Sequence, residues 1–348
     1  MQTYLITGGA GFIGTNAAAY HLKRGRRVIV FDNLSRPGTE RNIRFLQRAF
    51  GSQLVFLHED IRRTDGPLLE AVQESDAVLH LCGQVAVTTS VTEPREDFEI
   101  NALGTLNVLE AVRASRSRPP VIYSSTNKVY GKMDAVAVRA RGRRYEYVDL
   151  PQGIGEDTPL DFHSPYGCSK GCADQYVRDY SRIYGLKTVV FRQSCIYGPH
   201  QMGIEDQGWV AWFTLRAMEG RPVAIYGDGM QVRDVLYVED LIAAYCAAIE
   251  RIDEVSGQTY NIGGGPDNTL SLLELIDKLE ARIGHGVEHR FEPWRPGDQL
   301  VYVSDIRRAQ KQLNWTPRTV ADDGISRLAG WIEESGILKS APAKVVHA

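Results

Sequence analysis

The run Gly8-Gly9-Ala10-Gly11-Phe12-Ile13-Gly14 follows a short apolar stretch, Tyr4–Thr7, and opens a helical pattern over Phe12–Arg24. Glycines at such a junction allow a tight strand-to-helix turn. They also let main-chain N–H groups approach a pyrophosphate at a helix N-terminus, which carries about half a positive charge. The spacing is GxxGxxG, and a glycine trio alone is weak evidence. Its context strengthens it. Asp32 closes the next apolar run, 18 residues past Gly14, the distance expected of a carboxylate that grips a ribose 2′-hydroxyl. A carboxylate there repels a 2′-phosphate, so NAD is expected over NADP, with Arg36 as the counter-argument. Asp60, after the third apolar run, has two readings: a partner for the adenine amino group, or a cap for the following helix.

Further runs read as strands at Val28–Phe31, Leu54–Leu57, Ala77–Leu81, Val121–Ser124 and Thr188–Arg192. Most are apolar almost throughout, as parallel strands covered on both faces must be. Helical patterns at Phe98–Ala114 and Pro165–Tyr184 alternate with them, which argues a doubly wound parallel sheet. Past residue 193 the rhythm loosens into Trp209–Glu219, Val223–Tyr226, a helix after Asp240, a strand ending at Gly263-Gly264-Gly265, Leu270–Ile283 and Val320–Glu334. The expected division is a dinucleotide-binding domain of 1–192 with 231–258, a smaller mixed domain of 193–230 with 259–335, and a frayed tail of 336–348. Residues 132–155 break the pattern, with Arg139, Arg141, Arg143 and Arg144 and no convincing period. They read either as a solvated surface insertion or as a lid or subunit contact that helps hold an anionic substrate.

A chain of 348 residues can bury a core without staples. Its 40 Lys+Arg against 43 Asp+Glu exclude a wholesale basic surface, so no nucleic-acid partner is expected. Five cysteines, an odd number without CxxC spacing, fit a reduced, cytoplasmic compartment and no metal site. No run is long and apolar enough for a membrane span, so no membrane partner is expected.

A second constellation is Tyr166-Gly167-Cys168-Ser169-Lys170. The YxxxK spacing is unconvincing alone, since chance supplies about 0.4 such pairs here. Its position matters more: it lies on the helix before the Thr188 strand, near the carboxyl ends of parallel strands where ligands bind. Residues four apart share a helix face, and Ser164-Pro165 reads as a cap with proline in the first turn. Ionising a phenol near neutrality against a free pKa near 10 takes about 4 kcal/mol. One cation about 4 Å away, at an effective dielectric of about 20, supplies roughly that. Burial opposes it, so a positively charged nicotinamide has to help. The third element is Ser124-Ser125-Thr126, where a hydroxyl could share a substrate proton with Tyr166.

These three elements together resemble the extended short-chain dehydrogenase/reductase superfamily, the group of NAD-dependent nucleotide-sugar epimerases and dehydratases. The likeness spans roughly residues 1–335. It includes Asn101 with Gly104-Thr105, Gln231-Val232-Arg233-Asp234-Val235 and Arg295-Pro296-Gly297-Asp298. It implies a Rossmann-type α/β fold with a smaller mixed α/β substrate-binding domain. It implies Thr126, Tyr166 and Lys170 as the catalytic set, with Lys170 lowering the tyrosine pKa and holding the nicotinamide ribose. Implied cofactor contacts are Gly8, Gly11, Phe12, Ile13 and Gly14; Asp32, Asn33, Ser35 and Arg36; Asp60 and Ile61; Leu81 and Gly83; and Asn101, Ser124, Tyr166, Lys170 and Gln193. Implied substrate contacts are Gln84, Thr126, Gln207, Arg233, Arg295 and Asp298, the two arginines on a diphosphate.

Within the superfamily, Gly83-Gln84-Val85-Ala86, Ser124–Gly131, Leu160–Gly167 and Asp206–Val210 look closest to the branch that inverts C2 of CDP-linked hexoses. Cys195 stands where galactose epimerases usually carry Asn. Asn127-Lys128 stand where dehydratases usually carry the Asp-Glu acid–base pair. A CDP-linked sugar substrate is therefore expected, with a UDP-hexose 4-epimerase and a catalytically silent NAD-binding protein as rivals. A homodimer or homotetramer through Phe98–Ala114 and Pro165–Tyr184 is expected as well.

Overall fold

The computed structural model describes residues 1–295 and 298–338. Seven parallel strands form one sheet in the order Thr259–Ile262, Thr188–Gln193, Val121–Thr126, Ala77–His80, Thr3–Thr7, Arg27–Asp32, Leu54–His58. Their apolar runs have no polar face because both faces are covered. Helices Phe12–Leu22 and Val238–Glu250 pack on one side, around Ala17, Val30, Leu241 and Tyr245. Helices Pro67–Gln73, Gly104–Ala114 and Ser164–Tyr184 pack on the other, around Leu68, Val108, Tyr123 and Val177. Strand order reverses beside Thr3–Thr7, so a crevice is expected at its carboxyl end, where Gly8 packs against the Cys82 main chain.

The second half builds a smaller layer. Cys195–Tyr197, Val232–Tyr237, Thr269–Ser271 and Val301–Tyr302 form one sheet, and Val223–Tyr226 pairs with His289–Glu292. Helices Trp209–Met218, Leu272–Ile283 and Ala321–Ser335 enclose their own core, including Phe213, Leu275 and Leu328. Helix Leu272–Ile283 starts at a capping box between Ser271 and Glu274.

Sheet pairing divides the chain differently from the sequence in two places. Thr259–Ile262 pairs with Thr188–Gln193 as the seventh strand of the large sheet, with Tyr260 and Ile262 buried. Val232–Tyr237 pairs instead with Cys195–Tyr197 in the smaller layer. Adjacent apolar segments carry no local mark of which parallel partner they will find. The helix expected over Phe98–Ala114 is present; it begins earlier, at Pro94, and passes through a π-turn at Glu99–Leu103 before continuing as Gly104–Ala114. The expected tail lies outside the described residues from 339 on, as do Pro296 and Gly297.

The arginine-rich insertion is a hairpin, Val138–Arg141 with Arg144–Tyr147. Tyr145 donates to Asp228 (2.6 Å) and Tyr147 to the Val301 carbonyl (2.9 Å), which docks it on the smaller layer. Arg139 and Arg141 pair with Glu146, Arg143 with Asp277, and Arg144 with Glu274. All four guanidiniums thus pair with carboxylates of the chain itself, two of them sharing Glu146. Among the described residues no helix is long and apolar enough to cross a membrane.

Candidate active site

The glycine turn is shaped by contact. Gly8 takes a left-handed backbone, and a Cβ there would stand 2.8 Å from the Cys82 main chain. A Cβ on Gly14 would stand 2.3 Å from the Gly8 carbonyl oxygen. Gly11 precedes helix Phe12–Leu22, and among the described residues no side chain caps that N-terminus. Phe12 and Ile13 begin the helix, so its first N–H groups face the crevice mouth. Asp32 stands beside the turn. It accepts the Ala10 N–H (3.0 Å) and the Leu34 N–H (2.8 Å), and burial raises its carboxyl pKa.

Asn33 and Asp60 lie next to it. Asp60 accepts from the Asn33 amide (2.9 Å) and from Arg62 through both guanidinium and main chain, which holds its carboxyl well below the usual range. Asp60 caps no helix: the next one begins at Pro67 after Gly66. Ile61 is buried beneath it. Ser35 is exposed, and its N–H donates to the Asn33 side chain. Arg36 reaches across to donate to Gln207 from the smaller layer.

Leu81 continues from the fourth strand, its N–H on the Thr7 carbonyl. Gly83 follows, and a Cβ there would stand 2.9 Å from Asn101 Oδ1 and 3.7 Å from Lys170 Nζ. The Asn101 amide donates to the Gln84 carbonyl, Asp97 and the Ser169 hydroxyl at 3.0–3.1 Å, tying this loop to helix Ser164–Tyr184. Asn101 Oδ1 and Gln84 Oε1 are buried without a protein partner. An anion-receptive turn, a carboxylate beside it and two orphaned oxygens at the crevice fit a dinucleotide.

Thr126 ends the fifth strand, in register with Gln193 on the sixth. Gln193 and the Ser124 hydroxyl both bond the Tyr245 phenol, Gln193 at 2.6 Å. The Ser164 hydroxyl accepts the Gly167 N–H (3.3 Å) and Pro165 follows it, so the helix opens as its sequence predicts. Tyr166 and Lys170 lie on the buried face of that helix. Thr126 bonds the Tyr166 phenol, yet burial pushes the phenol up to about 12. The Lys170 ammonium donates to the Ser124 carbonyl oxygen (2.5 Å), and burial lowers it to about 8. Burial thus raises the phenol and lowers the ammonium, while the Arg36 cation lowers the phenol in turn.

Arg233 and Arg295 rise from the smaller layer. Buried Arg233 bonds the Val232 carbonyl (2.8 Å) and stands 3.8 Å from Asp298. Arg295 pairs with Asp206 (2.9 Å) and lies 3.8 Å over the Tyr226 ring. Cys195 accepts from Trp209 (3.4 Å). Sequence reasoning assigned no role to Lys128, whose ammonium shares a setting with Arg233, Asp298 and Cys195.

Residues 4–263 match the NAD dependent epimerase/dehydratase family. The chain is 47% identical to CDP-paratose 2-epimerase of Salmonella typhi over 94% of this chain and 98% of that protein. It is 31% identical to a putative UDP-glucose 4-epimerase of Methanocaldococcus jannaschii, over 95% and 98% of the two chains. UDP-glucuronic acid 4-epimerase from Bacillus cereus, solved with UDP-glucuronic acid and NAD, superposes with a TM-score of 0.82 at 28% identity, covering 96% of this chain and all of that one. With a family match across most of its length and the crevice that match requires, the chain belongs to the NAD dependent epimerase/dehydratase family, and NAD is its cofactor.

Proposed function

We propose that the protein is a nucleotide-sugar epimerase that inverts C2 of a CDP-linked hexose, a 2-epimerase of the CDP-paratose/CDP-tyvelose type. The observation that carries this reading is the 47% identity to a CDP-paratose 2-epimerase across nearly the whole of both chains. The convergence of Thr126, Tyr166 and the glycine turn at one end of the sheet supports it.

The large sheet holds the cofactor and the smaller layer holds the nucleotide. Gly8, Gly11 and Gly14 admit the pyrophosphate and Asp32 takes the adenosine ribose. NAD, when bound, supplies the acceptor that oxidises C2 and the donor that reduces it again. Tyr166 removes the proton from the C2 hydroxyl, and Thr126, hydrogen-bonded to the same phenol, shares that proton. Lys170 holds the nicotinamide ribose from its place on the Ser124 carbonyl. Arg233 and Arg295 grip the diphosphate, a role that suits planar, multidentate guanidinium groups. The 2-keto sugar turns in the site, and Tyr166 returns the proton to the oxygen on C2.

Five free cysteines support a cytoplasmic setting. Val91, Phe98, Tyr176, Ile183 and Tyr184 are large apolar side chains exposed on the helices flanking the site, which supports a homodimer or homotetramer. A panel of CDP- and UDP-linked hexoses tests the substrate. Conversion of CDP-paratose or CDP-glucose to its 2-epimer is expected. Turnover of UDP-hexoses at C4 alone would overturn the reading.

A further inference from the structure

Lys128 carries a charge that the fold leaves unanswered. It lies two residues beyond Thr126 in the short turn Asn127–Tyr130, and its own N–H donates to the Thr126 hydroxyl at 3.2 Å. Among the described residues its ammonium has no hydrogen-bond or ion-pair partner. Burial and the Arg233 cation lower it to about 8 while Asp298 pulls the other way, so it stays mostly charged near neutrality.

The surroundings are built. The Gln299 amide donates to the Gly131 carbonyl at 2.5 Å, which fastens the loop carrying Asp298 onto the turn carrying Lys128. Arg233 enters from strand Val232–Tyr237 and stands 3.8 Å from Asp298. Two cations therefore face one carboxylate, half withdrawn from water, at the turn that follows the catalytic threonine. An uncompensated cation in such a place calls for an anion on the ligand.

A nucleotide sugar carries its anion on C1. C2 is bonded directly to C1, whereas C4 lies across the ring. A cation carried on the turn that Thr126 opens, and sharing its setting with Arg233, reaches the sugar-side phosphate when the carbon presented to Thr126 is the neighbour of C1. We propose that Lys128 binds the sugar-side phosphate and thereby presents C2, not C4, to Thr126 and Tyr166. This inference rests on the nucleotide-sugar reading above.

Titration of the NAD-loaded protein with CDP and with CMP tests it, because only CDP carries the sugar-side phosphate. Lys128→Met is expected to weaken CDP at least about tenfold and CMP less than about twofold. Lys128→Arg is expected to keep most of the CDP affinity, and both variants to keep their NAD. With CDP-glucose, kcat/KM for 2-epimer formation is expected to fall at least about tenfold in the methionine variant. Unchanged CDP affinity in Lys128→Met, or equal losses for CDP and CMP, would overturn the assignment. Tighter binding of UDP than CDP by the wild type would overturn the choice of base alone, and UDP against UMP then tests Lys128 in the same way.

Discussion

The Lys170 ammonium donates to the main-chain oxygen of Ser124 at 2.5 Å. This contact joins the helix that carries Tyr166 to the strand that ends in Thr126. Burial lowers Lys170 and raises Tyr166, so the phenol needs a further positive charge to ionise near neutrality. The fixed positive charge of oxidised NAD has to lower it. The phenol is inactive as a base below its pKa, so activity rises with pH toward that value. Absorbance titration of tyrosinate is expected to show a Tyr166-dependent step that falls by at least about two units when NAD binds. Tyr166→Phe removes the step and lowers kcat about a thousandfold while NAD stays bound.

In the proposed reading, Asp32 sets the choice of dinucleotide. Its oxygens already accept the Ala10 and Leu34 N–H groups, which aim the carboxylate at the crevice. Asp32→Asn removes the charge that repels a 2′-phosphate and leaves Arg36 nearby to receive one. NAD affinity is expected to fall about tenfold or more and NADP affinity to rise. The dinucleotides released from denatured protein and titrations of both forms check this.

The buried pair Asp174 and Arg192 makes two hydrogen bonds, at 2.9 and 3.0 Å, with exposures of 0% and 2%. Ser125 donates to the same carboxylate (2.9 Å), which fixes the catalytic helix against the fifth strand. Asp174→Asn leaves a buried guanidinium without its counter-charge and is expected to cost about 3–5 kcal/mol in urea denaturation. The double variant Asp174→Leu, Arg192→Met is expected to cost less than that single change.

His80 gives the fold a pH limit. Its ring is buried between Thr7 (2.7 Å) and Thr105 (2.9 Å), and burial lowers its pKa to about 3. Between the ordinary value near 6.5 and that lowered one, the unfolded chain takes up a proton that the folded chain refuses. Stability is full above pH 6.5 and is lost as pH falls, by about 2 kcal/mol from this residue at pH 5. Melting temperatures between pH 7 and 5 are expected to fall less steeply for His80→Asn than for the wild type.

Six of the seven strands of the large sheet are legible because covered parallel strands leave unbroken apolar runs such as Val28–Phe31. The site is legible because its parts follow those strands: Gly8 after the first, Asp32 at the end of the second, Thr126 at the end of the fifth. Pairings across the chain leave no such trace, which hid the place of Thr259–Ile262 in the large sheet. The hairpin did leave a signal. Val138, Ala140, Tyr145 and Tyr147 alternate with charged residues around Gly142-Arg143, a period of two that four arginines obscured. Arg36 beside Tyr166 and Lys128 beside Arg233 are meetings of distant loops, and only the folded chain brings them together.

In the proposed reaction C2 is oxidised and reduced in place by one bound cofactor. A CDP-hexose carrying deuterium at C2, converted by the purified protein in ordinary water, reports on this step. The 2-epimer is expected to keep its deuterium in full. Product that has exchanged it for solvent hydrogen would contradict oxidation and reduction at C2 and point to deprotonation there.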